Sequence, residues 1–440
     1  MNQTTIFDVL YSKYKITKPI RLIELFAGYG SQYLALKYLG ANVKHYKICE
    51  WAAKSIQAYN DLHIQDYFDY SGNLSDDNIL TVLTKLGVSI NYNEPATKEQ
   101  LKRQNFRRIY NNIIATNNLV NIQNAKGEDF KITDKDKYDY IMTYSFPCQD
   151  LSLAGKGKGM ADTSTRSGML WEVERILNEL KTTNSLPQIL LMENVPQVHG
   201  SDNVEHFNKW QLALENMGYK NYFQDLIATD YGIPQTRNRC FMVSILGDYN
   251  YTFPKPIPLK LKLKDMLEDN VDEKYYLSDK MLEYCLGVNQ KESNFPRGER
   301  FLQSLNQANN KNLATTITTS AGNRPTDNFI KVKNATKKGY LEATDGDGID
   351  ISSRMEYHRG NVQKDKIQTI TTSGGNDRGV VENLRIRKLT PLECFRLMGV
   401  KDEDYYKIAK NQSNSSLYHL AGDSIIVNVL MAIFKELMSN

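Results

Sequence analysis

The segment RLIELF (21–26), followed at once by AGYG (27–30), decides the fold class of this chain. Its apolar run predicts a short buried strand, and its glycines predict a tight turn. A helical pattern continues to Leu39 and is closed by Gly40. A strand, a glycine turn and a helix in this order open a doubly wound α/β sheet. Such glycines let the backbone approach a nucleotide-like ligand at the start of the helix.

Further apolar strands are predicted at 43–48, 138–144, 188–192 and 240–246, and helical patterns such as 169–180 lie between them. Regular alternation of strands and helices indicates a parallel sheet. We therefore expect residues 1–253 to form one α/β domain built on a parallel sheet.

A polar, helical-looking stretch at about 71–126 interrupts this alternation, and we call it the insert. It carries a basic cluster made of Lys98, Lys102, Arg103, Arg107 and Arg108. The cluster is either a solvated face or a phosphate contact. Because charge runs are usually solvated faces, we favour the first interpretation.

Residues 254–385 predict a smaller, β-rich domain, since they are rich in Thr, Asn and Gly and contain short β-like segments. They hold a partial repeat, in which TITTSAGN (316–323) recurs as TITTSGGN (369–376). One duplicated unit is too little for a solenoid, so it predicts two similar loops on a β scaffold. Residues 386–440 return to helical patterns, and we expect the apolar run 425–438 to pack back on the first domain.

The composition is that of an ordinary globular protein, with 440 residues, 41% hydrophobic residues and a net charge of +4. The five cysteines are scattered, with no Cys-x-x-Cys pair and no tight cluster with the histidines, so we expect no metal site. No signal-peptide layout and no run of about 20 apolar residues is evident. These features predict a soluble, cytoplasmic protein without a membrane segment, and we expect a monomer.

Reactive residue types follow several predicted strands, where ligands bind in such sheets. SFPCQ (145–149) places Cys148 directly after a strand, although a free cysteine is more often a small buried hydrophobe than a nucleophile. Glu193, in ENV (193–195), is a candidate acid. Arg237 and Arg239 point to the same side if their segment is extended. The segment AGKGKG (154–159) suits a mobile loop that closes over a polyanion.

Two residues at the end of the second predicted strand suggest a cofactor site. Glu50 is placed to accept hydrogen bonds from ribose hydroxyls. Trp51 either stacks on adenine or belongs to the core, which is the commoner fate of a lone tryptophan. The glycine turn by itself fits NAD as well as S-adenosylmethionine.

Taken together and in order, these blocks resemble the cytosine-5 DNA methyltransferase family. FAGYG (26–30) is similar to its cofactor loop, PCQ (147–149) to its nucleophile motif and ENV to its acid motif. QTRNR (235–239) is similar to its Gln-x-Arg-x-Arg motif. Two later blocks also match: RKLTPLECFRLMG (387–399) and GDSIIV (422–427). The resemblance runs from residue 21 to the C-terminus and implies a Rossmann-like methyltransferase sheet with a β-rich target-recognition domain at 254–385.

The resemblance also assigns roles. It implies a thiolate from Cys148 that attacks cytosine C6, an acid, Glu193, at N3, and binding of O2 by Arg239, with Arg237 and Asn194 in support. The implied S-adenosylmethionine site comprises Phe26, Ala27, Gly28, Tyr29, Gly30, Glu50, Trp51, Asp129, Phe130, Pro147, Asp423 and Ser424. The implied duplex-DNA contacts are Gln149, Ser152, Lys156, Arg166, Thr319, Arg324, Thr372 and Arg378.

Two positions depart from the family pattern. Asp423 stands where the family usually has Asn. The best match to the family's acidic residue for the adenine amine is Asp129, which lies beyond the insert.

Other functions remain open at this point. A tRNA cytosine-5 methyltransferase shares these motifs, but its characteristic Cys-Phe-Thr tripeptide is absent. An inactive DNA-binding regulator predicts loss of the reactive residues, yet all are present. A nicotinamide-dependent oxidoreductase explains the glycine turn alone. A cognate restriction endonuclease that acts independently is a further expected partner.

Overall fold

The computed structural model describes residues 12–64, 68–146, 169–277, 330–333, 340–350, 361–372, 378–382 and 385–438. Six strands form the central sheet: β1 (Ile20–Leu25), β2 (Val43–Cys49), β3 (Asp139–Tyr144), β4 (Ile189–Asn194), β5 (Tyr219–Ile227) and β6 (Asn238–Leu246). Their spatial order is β2-β1-β3-β4-β6-β5. The order reverses between β1 and β3, which is the place where doubly wound sheets bind their ligands.

The sheet is mixed, which corrects the expectation of a parallel sheet. β1, β2, β3 and β4 are parallel, but β6 runs antiparallel between β4 and β5. The connection from β5 to β6 spans only 228–237 and holds a single 3₁₀ turn, Ala228–Tyr231. A parallel return needs a longer crossover, so this short connection requires the antiparallel arrangement.

Helices pack on both faces of the sheet. Those flanking it before the smaller sheets are α1 (Ser31–Tyr38), α2 (Ala53–His63), α6 (Leu170–Thr182) and α7 (Val204–Asn216). The insert contributes α3 (Asp76–Leu86), α4 (Lys98–Lys102) and α5 (Phe106–Ala115). Its helices share a small core of their own that includes Ile79, Leu83 and Ile113.

The insert is joined to the central sheet by backbone hydrogen bonds at two places. The amide of Leu119 donates to the carbonyl of Ile48 at 2.9 Å, which extends the sheet beyond β2. The amide of Ser89 donates to the carbonyl of Trp51, and the amide of Ala53 donates to the carbonyl of Ser89, both at 2.8 Å. The insert is therefore fixed beside the carboxyl end of β2.

Smaller antiparallel sheets follow, as the sequence predicts. β9 (Gly348–Asp350), β10 (Val362–Gln363), β11 (Arg378–Glu382) and β12 (Arg385–Lys388) form one, in the order β10-β9-β11-β12. β7 (Ile330–Lys333) and β8 (Tyr340–Ala343) form the other. Ile367, Ile370 and Val380 are buried in the same core as the C-terminal helices.

The chain ends in α8 (Pro391–Arg396), α9 (Asp402–Ala409), α10 (Asn414–Gly422) and α11 (Val427–Met438). As expected, α11 packs on the first domain, against α1. Contrary to the sequence reading, the segment Asn414–Met438 has the length and hydropathy of a membrane span, although 61% of its most apolar window is buried inside the structure. Core helices of soluble proteins share these properties, and Leu430, Ile433 and Phe434 lie in the main core.

Candidate active site

A cavity opens at the carboxyl ends of β1 and β3, where the strand order reverses. We call it the donor cavity. Its walls come from the loop after β1, from α2, from the end of β3 and from the C-terminal motif. The lining residues are Phe26, Ala27, Gly28, Tyr29, Ser31, Gln32, Ser55, Ser145, His419, Leu420, Asp423, Ser424 and Ile425. Six of the twelve predicted cofactor residues are among them.

The predicted cofactor loop is shaped by close packing beneath it. Gly30 has a φ of +80°, and a Cβ at this position would lie 2.5 Å from the rings of Tyr59 and His63. The His63 Nε2 atom lies 2.9 Å from the carbonyl oxygen of Tyr29 and 3.1 Å from that of Gly30, so it donates to the loop from below. Gly30 therefore shapes the loop without lining the cavity.

Glu50 lies beside this loop, as the sequence predicts. Its carboxylate accepts hydrogen bonds from the amides of Gly28, at 2.9 Å, and Ala52, at 2.7 Å. Burial raises the pKa of Glu50 to about 7, while these two hydrogen bonds oppose the rise. Asn118 in the insert accepts from the amide of Glu50 at 3.0 Å and donates to its carbonyl at 2.8 Å. The insert thus fixes the backbone that carries this carboxylate.

Three predicted cofactor residues are placed elsewhere. Asp129 accepts from the amide of Lys126 within the 3₁₀ turn Gly127–Phe130, and this turn packs on α6. Phe130 is fully buried in the core on that face of the sheet. Trp51 is half-buried and packs against the core of the insert, which agrees with the core alternative for this tryptophan.

The next part of the site joins the ends of β3 and β4. Asn194, at the end of β4, is 2% exposed, and its side-chain amide donates to the carbonyl oxygen of Phe146 at 3.1 Å. Its side-chain oxygen accepts from the amide of Val195 at 2.8 Å. Phe146 is the last described residue before Pro147 and Cys148, and Ser145 lines the donor cavity. Ser145 and Phe146, which precede the predicted nucleophile in sequence, are therefore held between the donor cavity and the acid motif.

Glu193 and Arg239 come together on neighbouring strands. The Nε atom of Arg239 lies 3.1 Å from the Oε1 atom of Glu193, and both side chains are largely buried. Burial raises the pKa of Glu193, and the positive charges of Arg239 and Arg237 oppose that rise. A raised pKa moves this carboxyl group towards the protonated form that a general acid requires.

Arg237 joins three parts of the chain. Its guanidinium donates to the carbonyl oxygens of Ile370 at 3.1 Å, Gly422 at 3.2 Å and Ser424 at 2.6 Å. Gln235 acts in parallel, donating to the carbonyl of Leu397 at 2.8 Å and accepting from the amide of Ile370 at 3.1 Å. Within the Gln-x-Arg-x-Arg motif, Gln235 and Arg237 therefore make structural hydrogen bonds, and Arg239 faces Glu193.

The C-terminal motif and the second threonine-rich segment are in close contact. A Cβ at Gly422 would lie 2.2 Å from the carbonyl carbon of Thr371, so only glycine fits there. Asp423 and Ser424 follow and line the donor cavity. Asp423 is exposed at the cavity wall, and desolvation by the surrounding protein raises its pKa to about 6, against the pull of Arg237 and Arg239.

The predicted DNA contacts are described only in part. Thr372 borders this contact with Gly422. The Nε atom of Arg378 donates to the carbonyl of Thr369 at 2.9 Å, and its NH1 atom lies 3.6 Å from Asp350, so the guanidinium braces the smaller domain internally. The other predicted site residues lie outside the described residues: Pro147, Cys148, Gln149, Ser152, Lys156, Arg166, Thr319 and Arg324.

Three basic residues of the insert make internal ion pairs. Lys98 pairs with Asp77, Arg107 with Asp76, and Arg108 with Asp61. Lys98 and Arg107 pair within the insert and Arg108 pairs with α2, and these ion pairs support the interpretation of a solvated face over phosphate contact.

Three side chains of metal-ligand type come together although they are distant in sequence. His199, Asp225 and Cys240 place their donor atoms within 4.8 Å of one another, with His199 and Asp225 in a 2.9 Å contact. Burial raises the pKa of the Cys240 thiol, so a cation would have to displace its proton. A hydrogen bond between His199 and Asp225 beside a protonated thiol accounts for this geometry.

Sequence reasoning missed several residues of the cavity wall, notably Ser55 and His419. Ser55 lies on α2, two turns before the His63 that supports the loop, and His419 lies on α10 just before the GDSIIV motif. Their only sequence signal is this nearness to recognised motifs, because serine and histidine on a helix have no diagnostic pattern.

The sheet order, the cavity at its reversal point and the carboxylate–arginine pair beside it define an α/β enzyme with a nucleotide-like cofactor. A family model described as C-5 cytosine-specific DNA methylase matches residues 94–439. The chain therefore belongs to the C-5 cytosine-specific DNA methylase family. It is a DNA cytosine-5 methyltransferase, and the family implies S-adenosylmethionine as the methyl donor.

Known relatives agree with this assignment. The chain is 32% identical to the type II methyltransferase M2.ScrFI of Lactococcus lactis subsp. cremoris, over 96% of this chain and 99% of that protein. It is 30% identical to the orphan methyltransferase M.SssI of Spiroplasma monobiae, over 96% and 98%. The solved structure of the Entamoeba histolytica methyltransferase EhMeth has a TM-score of 0.53 at 13% identity, covering 96% of this chain and 98% of that one, a likeness in fold alone.

Proposed function

We propose that this chain methylates C5 of a flipped-out cytosine within a specific duplex sequence through a covalent bond between Cys148 and C6. The observation that carries the proposal is the hydrogen bond from Asn194 to Phe146, at 3.1 Å, next to the Glu193–Arg239 pair. This bond anchors the residues before Cys148 beside both the acid and the donor cavity.

The proposed chemistry divides one hard step into easier ones. The Cys148 thiolate forms a bond to C6 while Glu193 gives a proton to N3, and Arg239 binds O2. The ring then carries a nucleophilic C5. When bound, S-adenosylmethionine supplies an electrophilic methyl group, which C5 takes. A base then removes the C5 proton, the Cys148–C6 bond breaks so that the thiolate leaves, N3 returns its proton to Glu193, and the aromatic ring is restored. The scheme uses no metal ion.

The thiol needs activation, since a free cysteine has a pKa of about 8.5. We propose that the positive charges of Arg237 and Arg239 favour the thiolate. Both are held by the structure described above, Arg237 through three carbonyls and Arg239 through Glu193. Stabilising the charge that develops on the ring is the larger contribution to the rate.

The donor site proposed for S-adenosylmethionine is the donor cavity. Asp423 and Ser424 supply its polar wall together with the loop residues 26–29, and Glu50 holds that loop through the amide of Gly28. Since the donor's amino-acid part and ribose are polar, Ser55 and Ser145 are fitting neighbours in that wall.

DNA binding is proposed for the smaller domain, 254–385, and for the loop that contains Ser152, Lys156 and Arg166. The base must leave the helix because its reacting atoms are inaccessible in a duplex, which costs a few kcal/mol. Major-groove edges distinguish all base pairs, so they are the proposed source of sequence specificity. We also propose that the protein acts as a monomer in the cytoplasm, with an independent restriction endonuclease as a partner of the same modification system.

Sequencing of methylated cytosines in DNA from cells that express the chain tests this function. The wild type is expected to leave a sequence-specific pattern, and Cys148→Ser none, although Cys148→Ser still binds DNA. A duplex with 5-fluorocytosine should trap the wild type as a covalent adduct, since the C5 fluorine cannot be removed as a proton is. Identical patterns from both chains would refute the role of Cys148.

A further inference from the structure

Tyr92 lies at the tip of an unusual loop in the insert, between α3 and α4. The loop is closed by a hydrogen bond from the amide of Ala96 to the carbonyl of Val88 at 2.8 Å. Within it, the side-chain oxygen of Asn91 accepts from the amides of Asn93 and Glu94 at 3.0 and 3.2 Å. Tyr92 has a φ of +63°, which an aromatic residue adopts only at a cost in free energy. A residue held firmly in such a rarely adopted backbone conformation indicates that the position of its side chain is important for function.

The loop directs Tyr92 to the wall of the donor cavity. Its ring lies 3.9 Å from the ring of His419, centroid to centroid, with the planes 37° apart. His419 itself lines the cavity. Burial lowers the pKa of His419, so the stacked imidazole is neutral near pH 7. The insert therefore supports, through one aromatic contact, a residue that lies three positions before the GDSIIV motif.

The hydroxyl group of Tyr92 is buried and has no hydrogen-bond partner among the described residues. The hydroxyls of Ser55, which lines the cavity, and of Ser416, one turn before His419, are close enough to interact with it, but neither meets it in hydrogen-bond geometry. The carboxylates of Glu50 and Asp423 are close enough to act on it electrostatically. A buried hydroxyl without a partner is costly, so a bound ligand that satisfies it would gain affinity.

We propose that Tyr92 is a positioning residue of the donor site, which holds His419 against S-adenosylmethionine and whose hydroxyl gains a hydrogen bond when the donor is bound. The insert then completes the donor cavity and is more than a solvated addition. This inference rests on the proposed donor cavity. Since Tyr92 does not touch the reacting atoms, it affects the affinity for the donor and leaves the methyl-transfer step unchanged.

Calorimetric titration with S-adenosylmethionine and with S-adenosylhomocysteine tests the proposal on the full chain. Tyr92→Phe is expected to weaken binding about 3- to 10-fold, the effect of one hydrogen bond. Tyr92→Ala, which also loses the ring contact, is expected to weaken it by at least about 10-fold. The KM for the donor should rise in parallel, while kcat at saturating donor stays within about 2-fold. The affinity for duplex DNA should not change.

Tyr110→Ala is the matched control, because Tyr110 is a partly buried tyrosine of the same insert that packs on its core away from the cavity. It should leave donor affinity unchanged. Losses from Tyr92→Ala and His419→Ala should not add in the double variant, because each removes the same contact. Wild-type affinity in both Tyr92 variants, or an equal loss in Tyr110→Ala, would overturn the proposal. A wild type that binds neither ligand would instead refute the donor cavity and the proposed function.

Discussion

The side chain of Asn194 bridges the ends of two strands, since its amide donates to the carbonyl oxygen of Phe146 at 3.1 Å while its oxygen accepts from Val195 at 2.8 Å. Phe146 stands two residues before Cys148, and Glu193 precedes Asn194. One buried amide therefore fixes the chain just after β3, two residues before Cys148, beside the proposed acid. Neither strand could fix this geometry by itself.

Asn194→Ala is expected to reduce kcat by about 10-fold or more and to leave the affinity for S-adenosylmethionine nearly unchanged. The substitution leaves the buried carbonyl of Phe146 without its partner, which costs about 1–3 kcal/mol, and lets the residues before Cys148 shift. Methyl-transfer rates at saturating donor and DNA measure the effect.

Asn203→Ala is a suitable control for that variant. Asn203 is also buried and donates to a main-chain carbonyl, that of Gln197, at 3.0 Å. It lies beyond the acid motif and does not contact the end of β3, so its loss should lower stability with little change in kcat. Equal losses of kcat in the two variants would contradict a specific role for Asn194.

Arg237→Lys is expected to lower both the thermal stability and the methyl-transfer rate, the latter by roughly 10- to 100-fold. Arg237 donates to three carbonyls on two segments of the C-terminal half, at 2.6 to 3.2 Å. Lysine keeps the charge but cannot match the planar arrangement of donors. The loss should therefore come from displacement of the loop at 369–372 and of the motif at 422–424.

Arg175→Lys is the control that separates this effect from the general consequence of replacing an arginine that binds main-chain carbonyls. Arg175 also donates to main-chain carbonyls, those of Ile122 at 3.0 Å and Ala125 at 2.9 Å, but on α6, away from the donor cavity. The Arg175→Lys variant should be less stable than the wild type but should keep its methyl-transfer rate per folded molecule. If Arg237→Lys also keeps its rate per folded molecule, the proposed link between Arg237 and the site is wrong.

The parts of the fold that the sequence predicted are those with strong local signals. β1, β3 and β4 are largely apolar and buried, and the motifs at their ends are short and contiguous. β5 was missed because its sequence, YKNYFQDLI, is largely polar, as suits a partly exposed strand at the sheet edge. The direction of β6 was wrong because strand periodicity carries no information about direction, which depends on the length of the preceding connection.

The candidate site shows the same division between residues with a local sequence signal and residues without one. Residues within recognised blocks, such as Glu50, Glu193 and Asp423, were predicted and lie at or beside the cavity. Asp129 was chosen for its charge and its place after the insert; it accepts a hydrogen bond from the amide of Lys126 within its own turn and is not among the lining residues of the donor cavity. Asn118, which holds the backbone of Glu50, and Tyr92 act through contacts across the insert. Contacts of this kind join residues far apart in sequence, and no local pattern reveals them.

The buried carboxyl group of Glu24 makes the free energy of unfolding depend on pH. Glu24 lies on β1 beneath the cofactor loop, is fully buried, and accepts hydrogen bonds from the Tyr59 hydroxyl at 2.6 Å and the Tyr33 amide at 3.2 Å. Burial raises its pKa from 4.5 to about 7, although both hydrogen bonds oppose the rise. A raised folded-state pKa means that the folded state binds the proton more tightly than the unfolded state does.

Glu24 therefore stabilises the fold fully below about pH 4.5, and this contribution is lost as the pH rises through about 7. At 1.36 kcal/mol for each pKa unit, the loss between pH 4.5 and pH 8 amounts to roughly 3 kcal/mol. Glu24→Gln, which cannot ionise, should lack this part of the pH dependence, while the exposed Glu205→Gln should keep it. Denaturant unfolding of the three chains at pH 5 and pH 8 measures the difference. If the wild type and Glu24→Gln lose the same free energy of unfolding between these pH values, Glu24 does not titrate in this range.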